Sequence, residues 1–311
     1  MKAFILDNNS DSSPRDPSIV YHDGYFYHCF SFGGSLCIKR NKVLEELNNT
    51  PKTIVYTPKA PINQEIWAPE LHIIDNKCYI YVAIDDGDNY HHRMYVLSNN
   101  SSDPLTPYTK MVQIKDETNR WAIDGTVLKY NGELYFVWSG WERDSNVCQN
   151  LYIAHMSDPM TIDGERHMIS TPEYDWEKMD CQGLENIQPF INEGPFAFYT
   201  DKSIYIIYSG SGCWGDNYCL GALKFLGGDI LDKSNWYKHP HSIFHRVEGV
   251  KAPGHASFIQ NSPDGKIYMA YHAYNGDSDS GLNHTYAAIQ EVYIKDDFPV
   301  LGEPVHFRLK K

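Results

Sequence analysis

Five residues able to move protons open five successive segments of the 311-residue chain: Asp16, Glu70, Asp124, Glu193 and His255, spaced 54, 54, 69 and 62 residues apart. Equivalent segments would bring their leading residues to one end of a central channel. Four carboxylates and a histidine converging on one cavity are costly to desolvate unless the site uses them. Like charges raise one another's pKa, so one carboxyl group can stay protonated beside an ionised neighbour. That pairing is what glycosidic bond cleavage needs. Taken singly, each residue has a plainer reading. Asp before Pro-Ser or Gly forms turns, Glu before Gly-Pro ends a strand, and a lone His in a strand is more often core than ligand. The equivalence across repeats carries the argument.

Tryptophans add to it. Trp67 and Trp121 each stand three residues before a leading carboxylate, Glu70 and Asp124. Indole faces stack on the C–H faces of sugars, which makes both candidate substrate-binding residues. Packing between units is the alternative for both. Trp138, Trp141 and Trp214 follow second strands and read as rim or packing residues, and Trp176 and Trp236 as structural ones.

The elements that must position these residues are strands. The segments read DPSIVYHDGYFYHCF, ELHIIDNKCYIYVAI, DGTVLKYNGELYFVW, EGPFAFYTDKSIYIIY and HASFIQNSPDGKIYMAYH. Tyr and β-branched residues favour strands, and HDG, YNG and SPDG close hairpins. Third strands follow in SLCIKR, RMYVLSN, NLYIAHM, YCLGALKF and YAAIQEVYI. Helical periodicity is nearly absent, with KVLEELNN after Asn41 as a brief candidate. Antiparallel units of this size stack as blades around an axis. The expected fold is all-β: a five-bladed β-propeller forming a single domain over 1–311, with blades beginning near 16, 70, 124, 193 and 255. A β-sandwich is the rival and does not predict five-fold regularity. The stretch from Met160 to Gln188 reads as a loop over one face.

Composition narrows the partners. Apolar residues make up 42% and charged residues 22%, with seven Trp and 23 Tyr, which indicates a globular chain. A net charge of −13 repels phosphate backbones and acidic lipid surfaces, so nucleic acid and membrane are poor partners and a neutral carbohydrate suits better. No apolar run approaches a membrane span. The start, MKAFILDNNSDSS, has a short apolar patch and no cleavage pattern. With the odd cysteine count this favours a cytoplasmic location, or secretion if a leader has been removed. Seven cysteines without a CxxC pair argue against structural zinc. They read as free thiols, with a Cys213–Cys219 bridge as the oxidising-compartment alternative.

Together, RDPSI around Asp16, WAPELH around Glu70, AIDGTV around Asp124, NEGPFAFY around Glu193 and PGHASF around His255 resemble glycoside hydrolase family 43. NEGP followed by YSGSGCWGDNYCLG and PGHASF looks most like its α-L-arabinofuranosidases, including exo-acting enzymes on arabinan. The resemblance implies a five-bladed propeller and an inverting mechanism. Asp16 matches the general base, Glu193 the general acid, and Asp124 the carboxylate that orients the acid and modulates its pKa. Inversion requires base and acid roughly 6.5–9.5 Å apart, with room for water between them.

His255 matches a central histidine that binds sugar or, in several members, faces a structural calcium ion through water. No cofactor is required by this scheme. One His is a poor calcium ligand by itself, and GDSDSGLN after Asn275 lacks the EF-hand pattern. The chain departs from the family where many members carry an Arg: GLNHTYAAIQEV offers His284 and Thr285 instead. Ala256 also stands where Asn is frequent. The expected function is release of terminal α-L-arabinofuranosyl residues from plant cell-wall oligosaccharides, arabinan or arabinoxylan. A β-D-xylosidase of the same family and a non-catalytic carbohydrate-binding propeller are the alternatives.

Overall fold

Tyrosines and β-branched residues along the repeated segments form antiparallel strands, as their propensity dictates. The structure is a computed structural model describing residues 3–7, 13–181, 189–275 and 285–306. His284, the stretch GDSDSGLN and the end of the Met160–Gln188 segment therefore lie outside the described residues.

The first unit is a meander of β2 (Ser18–His22), β3 (Tyr25–Phe32), β4 (Ser35–Asn41) and β5 (Thr53–Tyr56). The second repeats it with β6 (Gln64–Ile74), β7 (Lys77–Asp85), β8 (Arg93–Ser98) and β9 (Lys110–Gln113). In the third, β10 (Ala122–Tyr130), β11 (Glu133–Trp141) and β12 (Cys148–Asp158) are joined by the short β13 (Thr161–Ile162) and β14 (His167–Ser170), both paired with β12. The fourth comprises β15 (Phe190–Tyr199), β16 (Ile204–Gly210), β17 (Cys219–Phe225) and β18 (Trp236–Lys238). In the fifth, β19 (Val250–Ile259), β20 (Ile267–Asn275) and β21 (Thr285–Lys295) are followed by β22 (Phe298–Val300). Its remaining place is filled from the start of the chain: β1 (Ala3–Asp7) pairs with β21, setting Ala3 opposite Gln290.

The first strands meet in a cycle: β2 lies against β6, β6 against β10, β10 against β15, β15 against β19, and β19 against β2. Apolar clusters follow the same order. Leu36 and Ile38 of the first unit pack with Ile80 and Val82 of the second. Ile19 and Phe26 of the first pack with Ile259 and Ile289 of the fifth, and Leu6 of β1 joins them. Apolar clusters thus cover the faces between units, of which the third and fourth also join into one nine-stranded sheet through a short parallel pairing that sets Cys148 opposite Phe190.

A left-handed residue recurs near the start of each unit: Asp16 at φ 52°, Ala68 at 43°, Asp124 at 56°, Gly194 at 54° and His255 at 47°. Pairing with the second strand begins or resumes two residues later in every case, at Ser18, Glu70, Thr126, Phe196 and Ser257. In the last four units the strand register shifts there. Bulges of this kind re-aim side chains and concentrate beside active sites. The +2 position also ties units together. Ser18 Oγ accepts from the Leu71 amide, and Ser257 Oγ accepts from the Ile19 amide while donating to the Pro17 carbonyl.

Three expectations are corrected. The backbone equivalent of Asp16 is Ala68, so Glu70 sits two residues deeper, where its carboxylate meets His72 Nε2 at 2.7 Å. The Met160–Gln188 segment is not simply a loop: two β-strands and a 3-10 turn at Asp175–Glu177 occupy part of it. KVLEELNN yields only a 3-10 turn at Leu44–Glu46. Cys213 and Cys219 are both free thiols, with no bridge between them. Among the described residues, no helix is long and apolar enough to cross a membrane.

Candidate active site

Asp16, Asp124, Glu193, His255, Trp67 and Trp121 line one cavity of about 610 Å³. That is within the roughly 300–1,000 Å³ of small-molecule sites. Their grouping follows from the bulges. Asp16, Asp124 and His255 are themselves the left-handed residues of their units, and Glu193 immediately precedes Gly194. Holding three non-glycine residues at positive φ costs on the order of 1 kcal/mol each, strain of a sort stored at functional sites. Glycine is needed at 194 for a further reason. A Cβ there would lie 3.0 Å from His255 Nδ1.

Polar contacts lock the group. His255 Nδ1 is 3.1 Å from Asp16 Oδ1 and 3.9 Å from Asp124 Oδ2. The His255 amide donates to Ser209 Oγ at 2.9 Å. His272 Nδ1 lies 3.3 Å from both the Asp16 amide nitrogen and Oδ1. Asp124 Oδ2 accepts from the Gly194 amide at 3.0 Å, which couples the third carboxylate to the strand bearing Glu193. Tyr218 donates to Glu193 Oε1 at 2.9 Å.

These surroundings drive the carboxyl groups apart. Burial would raise Asp16, but His255, His272 and Arg15 outweigh it and hold Asp16 well below the usual carboxylate range. Burial lifts Asp124 to about 6, with Asp16 adding and His255 opposing. Burial and the neighbouring Asp124 raise Glu193 to about 8, against Tyr218 and His255. At neutral pH the site therefore holds an ionised Asp16 and a protonated Glu193. Burial opposes the charged form of His255, and the surrounding carboxylates more than compensate, raising its pKa.

The aromatic wall divides in two. Trp67 stacks on His92 with ring centroids 3.9 Å apart, and its indole N–H donates to Glu65 Oε2. Trp121 is only 4% exposed, stacks on Trp141 at 4.7 Å and donates to the Asn89 carbonyl. It reaches the cavity mainly as part of a packed column, while Trp67 is more open. Trp214 also lines the cavity, whereas Trp138 and Trp141 are buried in the cluster between the second and third units. Glu70 does not line the cavity, yet its charge still raises Asp124 and His255.

Several residues escaped the sequence reading. Arg15, next to Asp16, donates to Tyr274 Oη at 2.8 Å, and Tyr274 donates in turn to the Cys213 carbonyl. Tyr218 stands within the GCWGDNYC motif, and His272 in an ordinary-looking second strand. Behind Glu193 lies a buried carboxylate, Glu177, meeting Lys238 at 2.7 Å, Asn192 Nδ2 at 2.8 Å and Tyr208 Oη at 2.9 Å. Asn192 is Glu193's chain neighbour, so this network fixes the strand that presents Glu193. A buried carboxylate is tolerated only when satisfied in this way.

His255 would reach a calcium ion only through water, because it brings one ring nitrogen and no oxygen of its own. No group of three or more His, Cys, Asp or Glu suited to a metal ion occurs among the described residues. His255 directs Nδ1 at Asp16 and supplies no oxygen, whereas calcium takes six to eight.

The protonation pattern has a testable consequence. Turnover should fall as pH rises through the Glu193 pKa, because its proton is lost. The Tyr218 hydroxyl favours the ionised carboxylate, so Tyr218→Phe should raise that pKa and move the alkaline limb of kcat/KM to higher pH. A pH–rate profile of both proteins checks this. An unmoved or lowered limb would detach it from Glu193.

The family model of Glycosyl hydrolases family 43 matches residues 10–299. An extracellular exo-α-(1→5)-L-arabinofuranosidase of Streptomyces avermitilis is 33% identical over 93% of this chain and 62% of its own length. The chain thus spans less than two thirds of that relative. An enzyme of the same printed name from Streptomyces chartreusis is 30% identical over 83% of this chain and 79% of its own. Among solved structures, an α-L-arabinofuranosidase from Lactobacillus brevis superposes with a TM-score of 0.86 at 30% identity, covering 96% of each chain.

Proposed function

We propose that this chain, which belongs to glycosyl hydrolase family 43, is an exo-acting, inverting α-L-arabinofuranosidase. Family membership makes it a glycoside hydrolase. The observation that carries the mechanistic reading is a single cavity holding one carboxyl group kept ionised and another kept protonated. The reading of the fold as one five-bladed propeller domain draws support from the cycle of first-strand contacts.

In the proposed reaction the Asp16 carboxylate takes a proton from water as the water oxygen bonds the anomeric carbon. The bond from that carbon to the glycosidic oxygen breaks, and Glu193 gives its proton to the departing oxygen. One water is added and configuration inverts. Asp124, bonded to the Gly194 amide and close to His255, orients the acid and keeps its pKa high. Trp67 offers the sugar-facing ring. Hydrolysis on this scheme calls on no cofactor, since the carboxyl pair accounts for every proton moved. Substrates would be arabinan or arabinoxylan oligosaccharides. The expected cytoplasmic location finds no support in relatives named as extracellular, which favour the secreted alternative.

The test is hydrolysis of p-nitrophenyl α-L-arabinofuranoside beside the β-D-xyloside. Preference for the arabinoside supports the proposal. Preference for the xyloside would replace it with a xylosidase, and inactivity of folded protein on both with a binding module.

A further inference from the structure

Asp16 and Glu193 belong to units that do not neighbour each other. Asp16 precedes β2 and Glu193 lies on β15, and β19 of the fifth unit stands between those two strands in the cycle. Their relative placement has to be carried across the fifth unit. Two buried rings make that crossing. Tyr218, in the turn before β17, donates to Glu193 Oε1 at 2.9 Å. His272, on β20, holds Nδ1 3.3 Å from Asp16 Oδ1. The two rings lie nearly parallel, with 10° between their planes and 5.5 Å between their centroids.

A glycine makes room for the stack. Gly254 on β19 pairs with His272, and a side chain there would share a face of the sheet with the imidazole. A Cβ at 254 would come within 2.3 Å of Tyr218 Cδ1 and Cε1, so glycine leaves the slot that the Tyr218 ring fills. Tyr274 also stacks on His272, at 6.3 Å. It accepts from Arg15, the chain neighbour of Asp16, and donates to the Cys213 carbonyl in the segment leading to Tyr218. His272 Nε2 is buried without a hydrogen-bond partner among the described residues, so the stacked rings and the Nδ1 contacts with Asp16 hold the imidazole. We propose that the Tyr218–His272 stack is a strut that fixes the separation of acid and base, which makes both of them positioning residues. The inference rests on the proposed hydrolase reading. It adds that the space for the attacking water is set by ring packing between units, and not only by the strands that bear the carboxyl groups.

The test is steady-state kinetics on p-nitrophenyl α-L-arabinofuranoside, with each protein at its own pH optimum. Tyr218→Leu removes the ring and should lower kcat by about 10- to 100-fold with KM little changed, the scale of a small misplacement of reacting groups. Tyr218→Phe keeps the ring and should recover most of that loss. His272→Leu should match Tyr218→Leu. The double variant should fall no further than either single one, because one strut is broken once. Wild-type kcat in Tyr218→Leu, equal loss in its Phe and Leu variants, or losses that multiply in the double variant overturn the strut while the hydrolase reading stands. Gly254→Ala covers the case in which the leucine variants do not fold. Its added methyl displaces the Tyr218 ring, so the same kcat loss is expected, and a wild-type kcat overturns the proposal. Inactivity of wild type on this substrate and on the β-D-xyloside overturns both readings.

Discussion

Glu193→Ala is expected to lose about 10²- to 10⁴-fold in kcat on arabino-oligosaccharides, the range for removing a positioned general acid. That corresponds to roughly 3–5 kcal/mol of transition-state stabilisation. The sugar alkoxide is a poor leaving group and needs the proton that Glu193 holds. A p-nitrophenolate leaves readily without one, so the aryl arabinoside should be spared most of the loss. The structure supplies the reason Glu193 has that proton: burial and Asp124 raise its pKa to about 8, despite the Tyr218 hydrogen bond. Steady-state kinetics on the two substrates provide the check. Equal loss on both would remove Glu193 from the acid's role.

Asp16 is expected to behave differently, because water must be activated whatever leaves. Replacing it should reduce turnover of oligosaccharide and aryl substrates alike, by about 10²-fold or more. The informative substitution is Asp16→Asn. Asp16 sits at φ 52°, a region asparagine tolerates and alanine resists, so Asn removes the charge with little backbone penalty. Its neighbours His255 and His272 lose a charged partner 3.1 and 3.3 Å away, but the backbone contact to His272 can persist. A thermal melt close to wild type with turnover lost on both substrates is the predicted result. Normal turnover would exclude Asp16 from the mechanism.

The strands were legible because tyrosines and β-branched residues alternate around short turns, and the leading carboxylates were legible because they recur in order. The frame slipped at one place. Aligning polar with polar residues set Glu70 beside Asp16, whereas the shared feature is a backbone one: Asp16-Pro17 corresponds to Ala68-Pro69, with both leading residues left-handed. Alanine carries no chemistry and gave no signal. The fourth strands were missed because they are short, and β1 because its partner β21 lies near the opposite end of the chain. Tyr218, His272 and Arg15 gain their roles only through folding. Each touches the carboxylate cluster or its wall, Arg15 and Tyr218 from motifs whose other residues drew the attention and His272 from an ordinary-looking second strand. The Glu177–Lys238–Asn192 network spans three separate elements and is likewise a tertiary property.

Water activated by Asp16 and attacking opposite a leaving oxygen protonated by Glu193 must invert the anomeric carbon. The measurement that reads it most directly is proton NMR of the first sugar released from an α-L-arabinofuranosyl oligosaccharide, recorded before mutarotation. The account predicts that β-L-arabinofuranose appears first and the α-anomer grows in later. Initial release of the α-anomer would mean retention, a covalent intermediate and a different division of labour among the three carboxyl groups.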